Sequence, residues 1–70
     1  MQTSIEQALL AEIEAFLTEA NIRPSRFGLD VMGDGALVKQ LRTGTRSLTL
    51  KNADRVLEYI RSYRAAAEAE

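Results

Sequence analysis

Apolar side chains recur at steps of three and four residues in the first and last parts of the chain. The first stripe consists of Ile5, Leu9, Ile13, Phe16, Leu17 and Ala20, and the last consists of Leu50, Ala53, Val56, Leu57, Ile60 and Tyr63. This spacing places the apolar residues of each segment on one face of an amphipathic helix. The alternating pattern at residues 48–50 is too short to favour a strand. We therefore expect an all-α fold.

The residues that flank the first stripe predict where its helix begins and ends. Thr-Ser at residues 3–4 stands before Glu-Gln at residues 6–7, with the spacing of a capping box. Asn21 tolerates the left-handed conformation found just past helix ends, and Pro24 prevents the helix from resuming. The first helix is expected to end near residue 20.

Two shorter helices are expected in the middle of the chain. Ser25 follows a proline and predicts the N-cap of a second helix, whose apolar face includes Phe27 and Val31. The Gly-Asp-Gly sequence at residues 33–35 then allows a sharp change of direction, and its aspartate is suited to cap the next helix. A third helix is expected over about residues 35–43, with Leu37, Val38 and Leu41 as its buried face.

A polar connection over residues 44–48 begins with the glycine that ends the third helix. Thr49 or Ser47 then predicts the cap of the fourth helix. The alanine- and glutamate-rich tail, residues 65–70, is expected to fray.

The length and composition of the chain restrict its function. A chain of 70 residues buries only about 60% of its unfolded surface, so residues 1–70 are expected to form a single domain. The absence of cysteine and histidine removes disulfides, metal sites built from those ligands, and thiol or serine–histidine catalysis. We expect no enzyme, no cofactor, no metal and no small-molecule effector. Without a transmembrane or signal segment, a cytoplasmic protein is expected.

Charge is unevenly distributed along the chain. Residues 1–20 carry four glutamates and no base, whereas residues 21–64 carry all nine lysines and arginines against four acids. The local charges are therefore −4 and +5, and Glu68 and Glu70 in the tail bring the net charge of the whole chain to −1. Such asymmetry is typical of a domain with a nucleic-acid surface on one side. The alternative is a chance clustering of solvated side chains.

Residues 24–43, with the sequence PSRFGLDVMGDGALVKQLRT, combine two short helices with a glycine-containing turn. They resemble the helix-turn-helix unit of the lambda-repressor-like (Xre/Cro) family, in which a small residue lets the two helices approach closely. The matching positions are Phe27, Gly28, Val31, Val38 and Leu41. Gly33 stands one residue later than the family's usual glycine, which displaces the turn by one residue. The resemblance implies a compact domain of four or five helices that binds DNA.

The outer face of the third helix supplies candidates for base reading, which are Gly35, Ala36, Lys39 and Gln40. Small residues at its start let the backbone approach a major groove, while lysine and glutamine pair with guanine and adenine edges. The alternative is that Lys39 and Gln40 are exposed only to water. Asp34 is expected to cap its own helix and face away from phosphates, or else to accept a hydrogen bond from a cytosine amine.

Phosphate contacts require cations and helix N-termini around the reading helix. The expected set is Arg23, Ser25, Arg26, Arg42, Thr43, Arg46 and Lys51. Arg42 and Arg46 are the strongest candidates. Arg26 is alternatively spaced to pair with Asp30, and Arg55 is spaced to pair with Asp54 or Glu58.

Two tyrosines lie one turn apart on the fourth helix, where Tyr63 extends the apolar stripe and Tyr59 lies beside it. An exposed aromatic residue is typical of an interface, and two-fold dimers read DNA half-sites one helical turn apart. We therefore expect a homodimer through Tyr59 and Tyr63, with Leu10 of the first helix contributing. The alternative is that Tyr59 completes the core of a monomer.

Together these features predict a phage or bacterial transcriptional regulator, of repressor type, that binds double-stranded DNA sequence-specifically at the host nucleoid. The alternative is a protein-binding helical module, such as an antitoxin or adaptor, that uses the same scaffold without DNA. Salt distinguishes the two, because DNA affinity falls steeply with ionic strength.

Overall fold

A computed structural model describes residues 4–68 of the chain. It contains four helices: α1 (Ser4–Ala20), α2 (Pro24–Met32), α3 (Leu37–Thr43) and α4 (Leu50–Glu68). No strand occurs in this range. The all-α, four-helix fold predicted from the sequence is therefore confirmed.

Apolar side chains from all four helices form the core. Its buried members within residues 4–68 are Ile13, Phe16, Leu17, Phe27, Val31, Leu37, Val38, Leu41, Val56 and Ile60. The two long stripes are only partly buried, because Ile5 is 77% exposed and Leu50 is 88% exposed. Both residues stand in the first turn of their helix. Periodicity correctly identified the inward face of each long helix, but it does not show where along the helix its neighbours stop covering that face.

Left-handed residues end the first three helices, as the sequence predicts. Asn21 has a φ of 56°, and the N–H of Ile22 donates a hydrogen bond back to the carbonyl oxygen of Leu17 at 3.0 Å. Gly33 and Gly44 have φ values of 68° and 75° and follow the last residues of α2 and α3. These conformations favour glycine and asparagine and release the chain from the helix.

The start of α2 differs from the prediction. Arg23 occupies the N-cap position without a side-chain hydrogen bond, and Pro24 is the first helical residue. Ser25 therefore lies inside the first turn and is not the N-cap. The reason is that proline has a helical φ and no N–H to satisfy, which suits it to the first position of a helix.

The start of α3 is also later than predicted. Residues 35–36 form a turn, and the helix begins at Leu37. Asp34 closes this turn, because its Oδ1 accepts a hydrogen bond from the N–H of Ala36 at 2.9 Å. Asp34 is therefore not the N-cap of α3 that the sequence predicted, because the helix begins later and Ala36 occupies that position without a side-chain hydrogen bond.

The fourth helix begins at the predicted cap. Thr49 Oγ1 accepts a hydrogen bond from the N–H of Asn52 at 3.1 Å. Residues 65–68 continue the helix, although fraying was expected from residue 65. Residues 69–70, and the capping side chains predicted at residues 3–4, lie outside the described part of the chain.

Helices α2 and α3 meet most closely at Gly28, as the resemblance implied. A Cβ atom placed on Gly28 would lie 2.2 Å from the carbonyl oxygen of Asp34 and 3.2 Å from the Cβ of Leu37. The first distance is far inside van der Waals contact and involves backbone, which has little freedom to move. No side chain fits at position 28 without separating the two helices.

We predict that Gly28→Ala lowers the free energy of unfolding by about 1–3 kcal/mol, because the added methyl group displaces the turn. Gly35→Ala is the matched control, since its new Cβ would have no neighbour closer than 3.7 Å. That variant should be unchanged or more stable by about 0.4–1 kcal/mol. Urea denaturation followed by circular dichroism measures both. Equal stabilities for the two variants would contradict the close contact at Gly28.

Candidate nucleic-acid interface

Within the described residues, Lys39 is the one exposed side chain of α3 that has no partner. Leu37, Val38 and Leu41 point into the core, as predicted, and Lys39 is exposed on the opposite side. Within residues 4–68 the Lys39 ammonium makes no ion pair or hydrogen bond. Lys39 therefore presents an unneutralised set of three donors to solvent.

The small residues expected to read bases lie before α3 and not within it. Gly35 and Ala36 are half-buried in the turn. A Cβ on Gly35 would point towards Ser25 and Leu29 of α2, with both nearest atoms at 3.7 Å. These residues therefore leave the entry to α3 free of bulky side chains, but they do not form part of its outer face.

Gln40 is half-buried and is held by an arginine from the α3–α4 connection. Its Oε1 accepts a hydrogen bond from Arg46 Nη1 at 3.2 Å, and the same nitrogen lies 2.5 Å from Asp34 Oδ2. A guanidinium group only donates hydrogen bonds, so the amide oxygen of Gln40 must face Arg46. The amide nitrogen is the part of Gln40 left for another partner.

The Asp34 carboxylate accepts hydrogen bonds both from a backbone amide of the turn before α3 and from an arginine. The Ala36 N–H and, next in weight, the Arg46 guanidinium lower the pKa of Asp34 below its ordinary value. A bond from Asp34 to a backbone amide was predicted, whereas the contact with Arg46 was not. The pair places a neutralising cation beside the carboxylate that precedes α3.

Arg42 is bound to α1. Its Nη2 and Nε donate to the two carboxylate oxygens of Glu14 at 2.6 and 2.7 Å. This hydrogen bonding lowers the pKa of Glu14 and raises that of Arg42. The two side chains remain 45% and 39% exposed, so the pair is a surface ion pair, a class that contributes about 0–1 kcal/mol. Arg42 is held in place but not buried.

Three of the other residues predicted to contact phosphate have side chains without a partner in the described chain. Arg23, Ser25 and Lys51 are exposed, and their side chains make no ion pair or hydrogen bond to any other residue of the described chain. Arg23 and Ser25 flank the first residue of α2, and Lys51 is in the first turn of α4. These groups are free to meet an anion.

The remaining cations and hydroxyls have partners. Arg26 pairs with Asp30 at 3.3 Å, which is the alternative that the spacing suggested. The Thr43 hydroxyl donates to the carbonyl oxygen of Gln40 at 3.2 Å. Arg55, expected to pair with an acid on its own helix, instead donates to the carbonyl oxygen of Val31 at 3.2 Å.

Another unpredicted arginine joins α4 to α1. Arg64 donates to both carboxylate oxygens of Glu19 at 2.9 and 3.0 Å and to Glu12 Oε1 at 2.9 Å. Acids from the first twenty residues therefore neutralise Arg42 and Arg64. The charge asymmetry along the sequence is partly cancelled in the folded chain.

The two tyrosines exchange the roles predicted for them. Tyr59 is half-buried, with its ring edge-to-face against Phe16 and Phe27 at centroid distances of 6.2 and 5.5 Å. Its hydroxyl donates to Asp30 at 3.4 Å, and burial raises its pKa. Tyr63 is 41% exposed and contacts Phe16 at 5.2 Å. Tyr59 thus packs against the core, as in the alternative, and Tyr63 is the more exposed of the two rings.

Between residues 4 and 68, no cluster of three or more acidic residues is placed to hold a metal ion. No helix in that range is long and apolar enough to cross a membrane. Comparison with protein families, with characterised proteins and with solved structures found no match.

We predict that Glu14 titrates below the ordinary glutamate value of 4.5 and that Arg42→Gln raises its midpoint towards that value. Because the folded-state pKa is lowered, the pair stabilises the fold at neutral pH, and this contribution is lost as pH falls through that pKa. NMR titration of the carboxyl group measures the midpoint. Arg42→Lys is the control and should recover only part of the shift. An unchanged midpoint in Arg42→Gln would contradict the pair.

Proposed function

We propose that the chain binds double-stranded DNA sequence-specifically as a transcriptional regulator of repressor type, with α3 in the major groove. The observation that carries the proposal is the outward edge of α3, where Lys39 is free and Gln40 is oriented. A short helix packed on its predecessor across a tight turn is the arrangement that helix-turn-helix proteins insert into DNA. Such a regulator would act at a bacterial nucleoid.

Base reading would fall to Lys39 and Gln40. Both side chains can donate hydrogen bonds to a base. Lysine has only donors, and the amide nitrogen of Gln40 is free because its oxygen is the atom bonded to Arg46. Guanine offers two acceptors, N7 and O6, at the major-groove edge, whereas adenine offers one acceptor and one donor. A donor-rich helix edge therefore favours sites with guanine opposite α3. Gly35 and Ala36 would allow close approach at the entry to the helix.

Phosphate binding would use two kinds of cation. Arg23 and Lys51 are free, and Ser25 lies with Arg23 at the N-terminus of α2, where exposed amides favour an anion. Arg42, in the last turn of α3, and Arg46, just after that helix, are already paired with surface carboxylates. Because exposed ion pairs of this kind are weak, a phosphate can replace the carboxylate at little cost. Thr43 and Arg26 lie at the edges of the same surface.

A second candidate function is binding to another protein. It is favoured by the ion pairs of Arg42, Arg46 and Arg64, which reduce the free positive charge available to a polyanion. A helical adaptor or antitoxin would use the same scaffold and would need none of the free cations. Salt dependence separates the two functions.

We predict that selection from a random pool yields a preferred duplex whose affinity falls steeply with salt. Each phosphate neutralised contributes about −0.9 to the slope of log affinity against log salt concentration. Four cations, Arg23, Arg42, Arg46 and Lys51, would give a slope of about −3 to −4. Fluorescence anisotropy at several salt concentrations measures it. Absent or salt-independent binding would favour the protein-binding alternative.

We also predict distinct effects for the two groups of residues. Lys39→Ala and Gln40→Ala should each reduce discrimination at particular base pairs by about 1–3 kcal/mol. Arg42→Ala and Arg46→Ala should weaken all duplexes alike. Competition between preferred and scrambled duplexes, each with a single site, measures both effects.

Arg61→Ala is the matched control for these variants, because Arg61 is an exposed arginine on α4 whose ion-pair partner is Glu58 on the same helix. Its affinity for a single-site duplex should equal that of the unmodified chain. Loss of sequence preference in the Arg42 and Arg46 variants, but not in the Lys39 and Gln40 variants, would reverse the assigned roles.

A further inference from the structure

An apolar groove runs between α1 and α4 and has a volume of about 280 Å³. We call it the α1/α4 groove; it is lined by Ile5, Ala8, Leu9, Glu12, Ala53 and Leu57. Ile5 and Leu57 are among the large exposed apolar residues of the described chain. A third, Leu50, lies one turn before Ala53 on the same side of α4. Such a cluster on a small protein marks a surface that binds a partner.

The two helices that form the groove run in the same direction. Ile5 and Leu9 lie beside Ala53 and Leu57 at one end, and Glu19 contacts Arg64 further along both helices. Beyond the apolar part, the same seam continues as a charged surface lined by α4 residues that include Arg61 and Arg64. The face is therefore apolar at the N-terminal ends of the helices and charged towards their C-terminal ends.

We propose that this face binds a second copy of the chain in a two-fold dimer whose axis runs along the groove. That axis packs α1 of one copy against α4 of the other, with both pairs of helices parallel. Ile5, Leu50 and Leu57 of the two copies then meet at the apolar end. The apolar patch of each copy is then covered by the patch of the other, because an isologous interface uses the same surface from both subunits.

Charge selects this axis over the other two-fold arrangement. Helix α1 carries four acids and no base, whereas α4 carries four bases against three acids, so the proposed axis sets the acidic helix of each copy against the basic helix of the other. An axis across the groove would instead place the acidic α1 of each copy against the other α1. Like charges brought together in this way oppose association, whereas complementary charges also set the orientation.

The proposed dimer would leave α3 uncovered. Glu14, which holds Arg42 of α3, and Glu12, which lines the groove, are two residues apart on α1. Residues at that spacing point about 200° apart around a helix. The groove therefore lies on the side of α1 away from α3, and the inference does not depend on DNA binding. This face is different from the tyrosine surface that the sequence predicted, of which Tyr59 is half-buried against the core.

Sedimentation equilibrium at up to about 1 mM chain, where even a weak dimer is populated, tests the proposal. The chain should sediment as a dimer, with twice the monomer mass of 7.8 kDa. The double variant Ile5→Glu, Leu50→Glu should raise the dissociation constant at least about tenfold, a change of about 1.4 kcal/mol. Both new carboxylates lie in the first turn of a helix, which favours them, so the fold is retained.

Leu29→Glu is the matched control, because Leu29 is 53% exposed on α2 and lies outside the groove. Its dissociation constant should equal that of the unmodified chain. A monomer at every concentration would overturn the proposal and leave the groove to a different partner. An equal loss of dimer in the control would also overturn it, since association would then not depend on this face.

A single introduced cysteine tests the orientation, because the chain has none of its own. With a spin label on Ala66→Cys, near the end of α4, the two labels of the dimer should lie about 20 Å apart or less, because that is about two helix-to-helix distances. With the axis across the apolar end, the two labels would lie about 40 Å apart, given a rise of 1.5 Å per residue. The longer distance would overturn the proposed arrangement.

Discussion

The contact between Gly28 and the carbonyl oxygen of Asp34 determines how the middle of the chain is arranged. Because no side chain fits between them, the backbone of α2 lies directly against the backbone of the turn that leads into α3. The turn that this contact requires leaves the Asp34 carboxylate at the entry to α3, within reach of the Ala36 amide and Arg46. The direction of α3, and with it the outward position of Lys39, depends on this contact.

The electrostatics of the fold serve two competing purposes. Carboxylates of α1 hold Arg42 and Arg64 and so tie the first helix to α3 and α4. The same pairs reduce the charge that a duplex would meet, leaving Arg23, Lys39 and Lys51 without partners inside the described chain. DNA binding would exchange weak surface pairs for phosphate contacts, which makes it sensitive to salt. The cations without a carboxylate partner in the described chain therefore lie at the N-cap of α2, on α3 and on α4.

Features set by local chemistry could be predicted from the sequence, and features set by distant contacts could not. The residue type of Asn21 indicates its left-handed conformation directly, whereas the close approach at Gly28 was expected from the resemblance of residues 24–43 to a helix-turn-helix unit. The partner of Arg42 is 28 residues away and that of Arg46 is 12 residues away, so neither follows from spacing on one helix. Tyr59 was misplaced because periodicity defines a face without showing which part of it the aromatic rings of other helices cover.

Chemical-shift mapping with the selected duplex tests most directly whether the outward edge of α3 is the surface that contacts DNA. We expect the largest shifts at the backbone amides of Lys39, Gln40 and Thr43 and at the start of α2. Amides along the α1/α4 groove should change least. Shifts confined to that groove, or none at saturating duplex, would contradict the account.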